Sequence, residues 1–259
     1  MIENPMISKY QQSIYKLNNN PSLEIFQLRN NELGRDAVKL LNERFKGVPY
    51  VGLDISVLKE NNLVGRSSPY IRWAIGPIVR ELMGNDVQLL TPAFSELALK
   101  QGALPNAEST YEDLAVVVYN TEEPNSKLAQ HLINVAKERR IDVQFPMIFY
   151  NLETKIDGSF KHGLRLDFDD TAVAYHVPIL SEKTGKFDPN DPELVKTGFP
   201  GKLGEGERKI YTVKDGLMRF FRSGALKLHA YYGTLTDSAS SSLISFTKME
   251  KQNWEDTLK

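Results

Sequence analysis

The 259-residue chain has no cysteine. That excludes disulfides, thiolate nucleophiles and every zinc site built on sulfur. An excess of charge is missing too: 32 Lys and Arg stand against 33 Asp and Glu, a formal charge of -1. A general nucleic-acid surface normally shows as a basic excess, so none is expected, although a local basic patch stays open. No apolar run approaches the ~20 residues of a membrane helix. Met1 to Asn20 is polar and lacks the apolar core of a signal peptide. A cytoplasmic protein with no membrane contact is the expectation. Also absent are a P-loop, a G-x-G-x-x-G turn, a nucleophile elbow, a kinase loop and a metalloprotease helix. The four histidines include no pair at helical ligand spacing, so no metal site is expected, and no motif names a cofactor. A Ser-His-Asp triad assembled in space stays open. Nothing in the sequence fixes an oligomeric state.

What is present is a chain ordinary for a globular protein, 41% hydrophobic and 10% aromatic, long enough to bury a substantial core. The strongest pattern runs from Tyr111 to Tyr150. Leu114 to Tyr119 is an uninterrupted apolar, β-branched run, the mark of a strand buried on both faces. A turn at Asn120 to Asn125 leads into an amphipathic helix through Arg140, with Leu128, Leu132, Ile133, Val135 and Ala136 as its apolar stripe. A second apolar run, Ile141 to Tyr150, follows. Strand, helix and strand in this order predict a right-handed crossover between parallel neighbours.

Upstream, Met1 to Asn20 has a loose helical spacing, and Leu33 to Phe45 reads as a helix capped by Asn31. Tyr50 to Ile55 is a strand candidate. Pro69 to Met83 is a helix begun by Ser68-Pro69, with a kink expected at Gly76-Pro77. Val87 to Leu90 and Ala93 to Gln101 continue the alternation of strand and helix. Past residue 155 the pattern changes to short alternating segments. Leu164 to Phe168 and Thr171 to Val177 predict a hairpin turning at Asp169-Asp170. Ser181 to Glu207 reads as a long loop. Four strands follow, with hairpin turns at Asp215-Gly216 and Ser223-Gly224. The predicted class is α+β: a helix-covered, mostly parallel (mixed) sheet over 1–155, then an antiparallel β-meander over 156–259.

Three groups of residues are candidates for chemistry. Asn120, Thr121 and Glu122 stand at the end of the central strand, where open α/β sheets bind ligands; the plain reading is a helix-start turn. Arg66, Ser67 and Ser68 precede a helix start, where free N–H groups, hydroxyls and a guanidinium suit a phosphate; the plain reading is a capped turn. Arg165, Asp167 and His176 fall on one face of the predicted hairpin, where histidine beside a carboxylate can act as a base; the plain reading is a solvated face.

Together these predict a pocket at the seam of the two halves. Its walls would be the strand-end loop, the Arg66-Ser67-Ser68 turn and the 181–207 loop. Its ligand would be small and anionic or phosphorylated, possible substrate of a hydrolase or transferase. The rival is a non-catalytic interaction module that docks through Phe220, Phe221, Tyr231, Tyr232 and Phe246. A nucleic-acid partner would instead need Arg66, Arg72, Arg80, Lys137, Arg139 and Arg140 on one surface.

Overall fold

The computed structural model describes residues 15–17, 20–52, 63–104, 106–239 and 241–249. The apolar run forms β4 (Glu112–Val118), every residue of it buried. Val116 and Val118 join one core cluster, while Ala115 and Val117 join another on the opposite face. Helices α1 (Glu32–Arg44), α2 (Pro69–Met83) and α4 (Ser126–Glu138) supply the first cluster. The second is closed by Ile179, Leu180, Phe187, Leu194 and Phe199. The segment read as a plain loop therefore carries β7 (Gly185–Phe187) and α5 (Glu193–Thr197) and covers a sheet face.

The parallel crossover is not formed. β4 lies between β5 (Met147–Ile156) and β9 (Leu217–Ser223), antiparallel to both. Val118 pairs with Met147, so β5 begins where β4 ends. The helix carries the chain about 20 Å away, and residues 139–146, a turn followed by irregular backbone, bring it back. An unbroken apolar run reports cover on both faces; it does not report the direction of the neighbours. With β6 (Leu164–His176), β8 (Arg208–Thr212) and β10 (Lys227–Tyr232), the larger sheet has the order β6-β5-β4-β9-β10-β8-β7. Among the described residues β10 with β8 is its one parallel pair. A smaller antiparallel sheet has the order β1-β2-β11-β3, from β1 (Tyr15–Leu17), β2 (Asn20–Gln27), β11 (Ser245–Met249) and β3 (Val87–Leu89).

Strands from either side of residue 155 interleave: β9 lies against β4, and β11 sits between β2 and β3. The expected hairpin is also absent. Asp169-Asp170 lies inside the continuous strand β6, opposite a register shift at Tyr150/Leu152 where Asn151 has φ 53°. Asp169 accepts the Thr171 N–H at 2.6 Å and its hydroxyl at 2.8 Å, which satisfies the bulge locally. Ser223-Gly224 does join paired strands, β9 and β10, whereas Asp215-Gly216 leads from β8 past β10 to β9. α2 runs as one helix through Gly76-Pro77, and its Gly76 lets Leu89 of β3 approach: an added Cβ would lie 2.6 Å from Leu89 Cδ1. Of the helix expected before Asn20, Tyr15–Leu17 is strand and residues 1–14 lie outside the described residues. Of the strand expected at Tyr50 to Ile55, the first three residues are turn and coil and the rest lie outside them.

Buried charge joins the two sheets. Glu112 of β4 is fully buried, and its Oε1 takes Arg72 of α2 at 2.9 Å and the Ser245 N–H of β11 at 2.7 Å. Its Oε2 takes the Ser245 hydroxyl at 3.0 Å and Arg222 of β9 at 3.3 Å. Arg72 also donates to the Leu90 carbonyl at 2.6 Å, and Arg222 to the Ala107 carbonyl at 3.2 Å. Beside them Asp113 receives both Nε and Nη2 of Arg219 at 2.9 Å. Burial pushes the Asp113 carboxyl well above its ordinary value and the Arg219 guanidinium down to about 10, while the two parallel bonds favour the charged form of each.

Replacing Glu112 by Ala leaves two buried guanidinium groups without a counter-charge and is expected to cost about 3–5 kcal/mol. Arg44→Ala, which breaks an exposed 2.6 Å pair with Glu81, is expected to cost under about 1 kcal/mol. Urea midpoints at unchanged slope measure both; equal costs would refute the role given to Glu112.

Candidate functional site

The Arg165–Asp167 pair forms, with Nη2 at 3.1 Å from Oδ2, and Arg165 also reaches Asp157 at 2.8 Å. His176 does not join it. Because β6 continues past Asp169-Asp170 instead of turning, Asp167 pairs with Glu153 and His176 with Met147, about 20 Å apart along the sheet. Its Nδ1 lies 2.9 Å from the Gln144 carbonyl. The histidine near Asp167 is His131 of α4, with Nε2 at 3.5 Å from Oδ1. Lys155 stands 3.5 Å from the same carboxylate and 2.6 Å from Glu153. Burial pushes the Asp167 carboxyl up. The Phe168 N–H and the neighbouring Lys155, His131 and Arg165 outweigh it and hold the group below its ordinary value. Burial also lowers His131. This is a partly exposed ion-pair network, and none of its members lines the cavities described below.

The two turns spend their polar groups internally. Ser68 caps α2 by accepting the Ile71 N–H at 3.3 Å. Ser67 is fully buried, and its carbonyl accepts the Ser242 hydroxyl at 2.7 Å. Arg66, with φ 62°, is exposed. Asn120 Oδ1 accepts the N–H of Glu122 at 3.0 Å and of Gly216 at 2.9 Å, so its side chain builds the turn. Thr121 is partly exposed and Glu122 exposed. Glu123 takes the Ser126 hydroxyl at 2.6 Å, the main reason its carboxyl lies below the ordinary range. The arginine surface imagined for nucleic acid does not form either: Arg72 is buried against Glu112, and Arg80 holds Asp169.

The cavity with the best chemical lining, about 510 Å³, opens between the two sheets. Gln88 of β3 and the start of α3 (Pro92–Lys100) form one side. Tyr150, Asn151, Thr171, Val173 and Tyr175 of the β5–β6 bulge form the back, and Val195 to Thr197 of α5 the lid side. α5 can approach α3 because Gly198 ends it at φ 84°; a Cβ there would sit 2.3 Å from Pro92. Asn151 donates to Gln88 Oε1 at 3.1 Å and to the Thr171 carbonyl at 3.3 Å. Tyr175 donates to the Thr197 carbonyl at 2.8 Å. Tyr150 differs. It is 7% exposed, burial pushes its phenol up to about 12, and its hydroxyl has no hydrogen-bond partner among the described residues. The one charged residue of the lining, Lys196, pairs with Glu193 at 2.8 Å.

Of the three segments expected around one pocket, only 181–207 reaches this cavity, through residues 195–197. Glu123 and Asn125 line a separate space of about 90 Å³ beside Tyr70 and Phe160. The sequence did carry one sign of the seam: an asparagine, Asn151, in the middle of an apolar run, a residue type tolerant of positive φ.

Two other hollows are of comparable size. One, about 390 Å³, is enclosed by residues 188–205 of a single segment. The other, about 380 Å³, is lined by Tyr111, Arg219, Phe221, Tyr231, Tyr232 and residues 237–239. Next to it the His229 ring lies between Tyr211, 4.8 Å away at 7°, and Phe221, 4.6 Å away at 6°. Burial first, then Lys227, push this imidazole down to about 4. In comparisons with family models, curated proteins and solved structures, the chain matches none.

The unfolded imidazole, near 6.5, binds its proton before the folded one does. Stability from His229 is therefore complete above pH 6.5 and falls as pH drops through 4, by up to about 3 kcal/mol. His229→Phe is expected to remove that part of the slope, read from urea midpoints between pH 4 and 7. Asn151→Val, forced into positive φ and stripped of two hydrogen bonds, is expected to lose about 2–3 kcal/mol in the same assay.

Proposed function

We propose that the protein binds a small molecule in the seam cavity, and that this ligand is uncharged, with an apolar or flat body and hydrogen-bonding groups. The observation that carries the reading is Tyr150, a residue of the cavity wall whose hydroxyl makes no protein hydrogen bond among the described residues. A ligand acceptor or donor placed there would supply that bond. The walls agree in character: Phe94, Val173 and Val195 are apolar, while Gln88, Asn151, Thr91 and Thr171 are neutral polar groups.

The lining favours a neutral ligand over the anionic or phosphorylated one the sequence suggested, since its one ammonium is already neutralised by Glu193. It also favours binding over hydrolase or transferase chemistry. No carboxylate or imidazole faces the cavity among its lining residues, and burial pushes the Tyr150 and Tyr175 phenols up, away from service as bases near pH 7. The interaction-module reading has narrower support. Phe220 and Phe246 are fully buried and Phe221 nearly so, leaving Tyr231 at 40% and Tyr232 at 39% exposure.

A thermal-shift screen tests the proposal, using nucleosides, free bases and neutral sugars, with sugar phosphates as the anionic comparison. A neutral ligand at 100 times its Kd stabilises the fold by about 2.7 kcal/mol. Val173→Trp, which fills the cavity, is expected to abolish the shift, and Tyr150→Phe to reduce it. No shift from any member, or shifts unchanged in Val173→Trp, would refute the site; larger shifts from sugar phosphates would return the reading to an anionic ligand.

A further inference from the structure

The face of the larger sheet turned away from α5 carries a second, differently built surface. In β10, Leu228 and Ala230 belong to the core, so Lys227, His229 and Tyr231 share the other face. In β8, Ile210 points to the core and Lys209 and Tyr211 point with them. The registers place these side chains in two rows. Tyr211 pairs with His229 and His229 with Phe221, giving a row of aromatic rings across three strands. Lys186 of β7 pairs with Lys209, and Lys209 and Lys227 each precede the Ile210–Leu228 pair by one residue. Lys186, Lys209 and Lys227 therefore form a row of three like charges on adjacent strands. Among the described residues none of the three has an ion-pair partner. Like charges opposed across strands are destabilising unless an anion answers them.

At the other end of β10 a register shift between His229 and Tyr232 re-aims the strand. Tyr231 and Tyr232, exposed on successive positions, then both line the 380 Å³ hollow with Tyr111 and Phe221. Its inner end is Arg219, whose charge is taken by Asp113 and whose remaining Nη1 donates to the Thr234 and Asp237 carbonyls at 3.0 Å. The guanidinium stands 5.2 Å from the Tyr111 ring, 5.6 Å from Phe221 and 5.8 Å from Tyr232, fixing these walls. On the rim, Asp237 takes the Tyr232 hydroxyl at 2.7 Å. A carboxylate there repels a phosphate, so an anionic group belongs on the lysine row and a flat uncharged ring in the hollow.

We propose that this face binds single-stranded nucleic acid, with one base stacked in the Tyr111, Phe221, Tyr231 and Tyr232 hollow and the adjoining phosphates on Lys186, Lys209 and Lys227. A positive track beside aromatic platforms is the common physical basis of single-strand binding. The four residue steps from Lys227 to Tyr231 separate the two parts by about 13 Å, a short footprint within the ~4–16 nucleotides such surfaces take. A duplex keeps its bases stacked inside and cannot fill the hollow.

The test is fluorescence anisotropy of the full chain with fluorescein-labelled dT12 and rU12 across a salt series, with a 12-bp duplex and unlabelled heparin as competitors. Binding is expected to weaken with salt at a slope of about -2 for three phosphate contacts. Tyr232→Ala and Tyr231→Ala are each expected to weaken it about tenfold. Lys209→Gln is expected to reduce the slope by about 0.7. Unchanged melting temperatures certify that the variants fold, and Val173→Trp is expected to bind the oligomer as the parent does. Failure to bind either oligomer at low salt overturns the proposal. So does binding that ignores both tyrosines, or equal displacement by duplex or heparin, which would make the face a general polyanion surface.

Discussion

The molecule depends on one buried carboxylate. Glu112 is reached by a helix, by a strand of each sheet and, through Arg72 and Arg222, by the carbonyls of two connecting segments. Two guanidinium groups around one carboxylate would leave an excess buried charge. The carbonyls of Leu90 and Ala107, which accept from Arg72 and Arg222, disperse it in hydrogen bonds. A buried pair of this kind adds little net stability over an apolar isostere, yet it admits one arrangement of its partners. The hypothesis it supports here is registry: Glu112 sets how β11 lies against β4, and so how the smaller sheet meets the larger.

The seam cavity follows from that meeting. The sheets are joined at Glu112, and at the β5–β6 bulge Asn151 reaches Gln88 of β3 beside the cavity. α3 is held in place by its own buried ion pair, Glu96 with both Nη atoms of Arg208 on β8. Its partner α5 is short and fixed through Gly198 and the Tyr175 hydroxyl. The cavity is thus bounded by elements anchored elsewhere, and its one charged residue, Lys196, pairs with Glu193.

Local structure was legible and long-range pairing was not. Ser68-Pro69 with its apolar spacing marked α2 to its first and last residue, and the stripe Leu128, Leu132, Ile133 and Ala136 marked α4, because both signals are carried within one or two turns. The burial of Val116 to Val118 was legible for the same reason. The direction of β5 was not, since it depends on the return segment 139–146, whose sequence has no period. Asp169-Asp170 has the composition of a turn, but Arg80 and Thr171 satisfy Asp169 inside a bulged strand, and this partner lies 89 residues away in sequence. With that hairpin lost, His176 parted from Asp167. His131 took its place from a helix that the strand pattern could not bring near.

Charge shows the same division between what composition records and what folding makes. The near-neutral total of -1 hides two populations. Four arginines go inward: Arg72, Arg208, Arg219 and Arg222 are all under 9% exposed and meet Glu96, Glu112 and Asp113, because a planar fork can satisfy a carboxylate and a carbonyl together. Lysine, a flexible and strongly hydrated point charge, stays outside. The interior takes four arginines and three carboxylates, so the row Lys186, Lys209 and Lys227 owes nothing to a shortage of acid elsewhere; it comes from where the strand registers set the remaining charges. Net charge therefore does not decide what this protein can bind; the placement of its charges along the strands does.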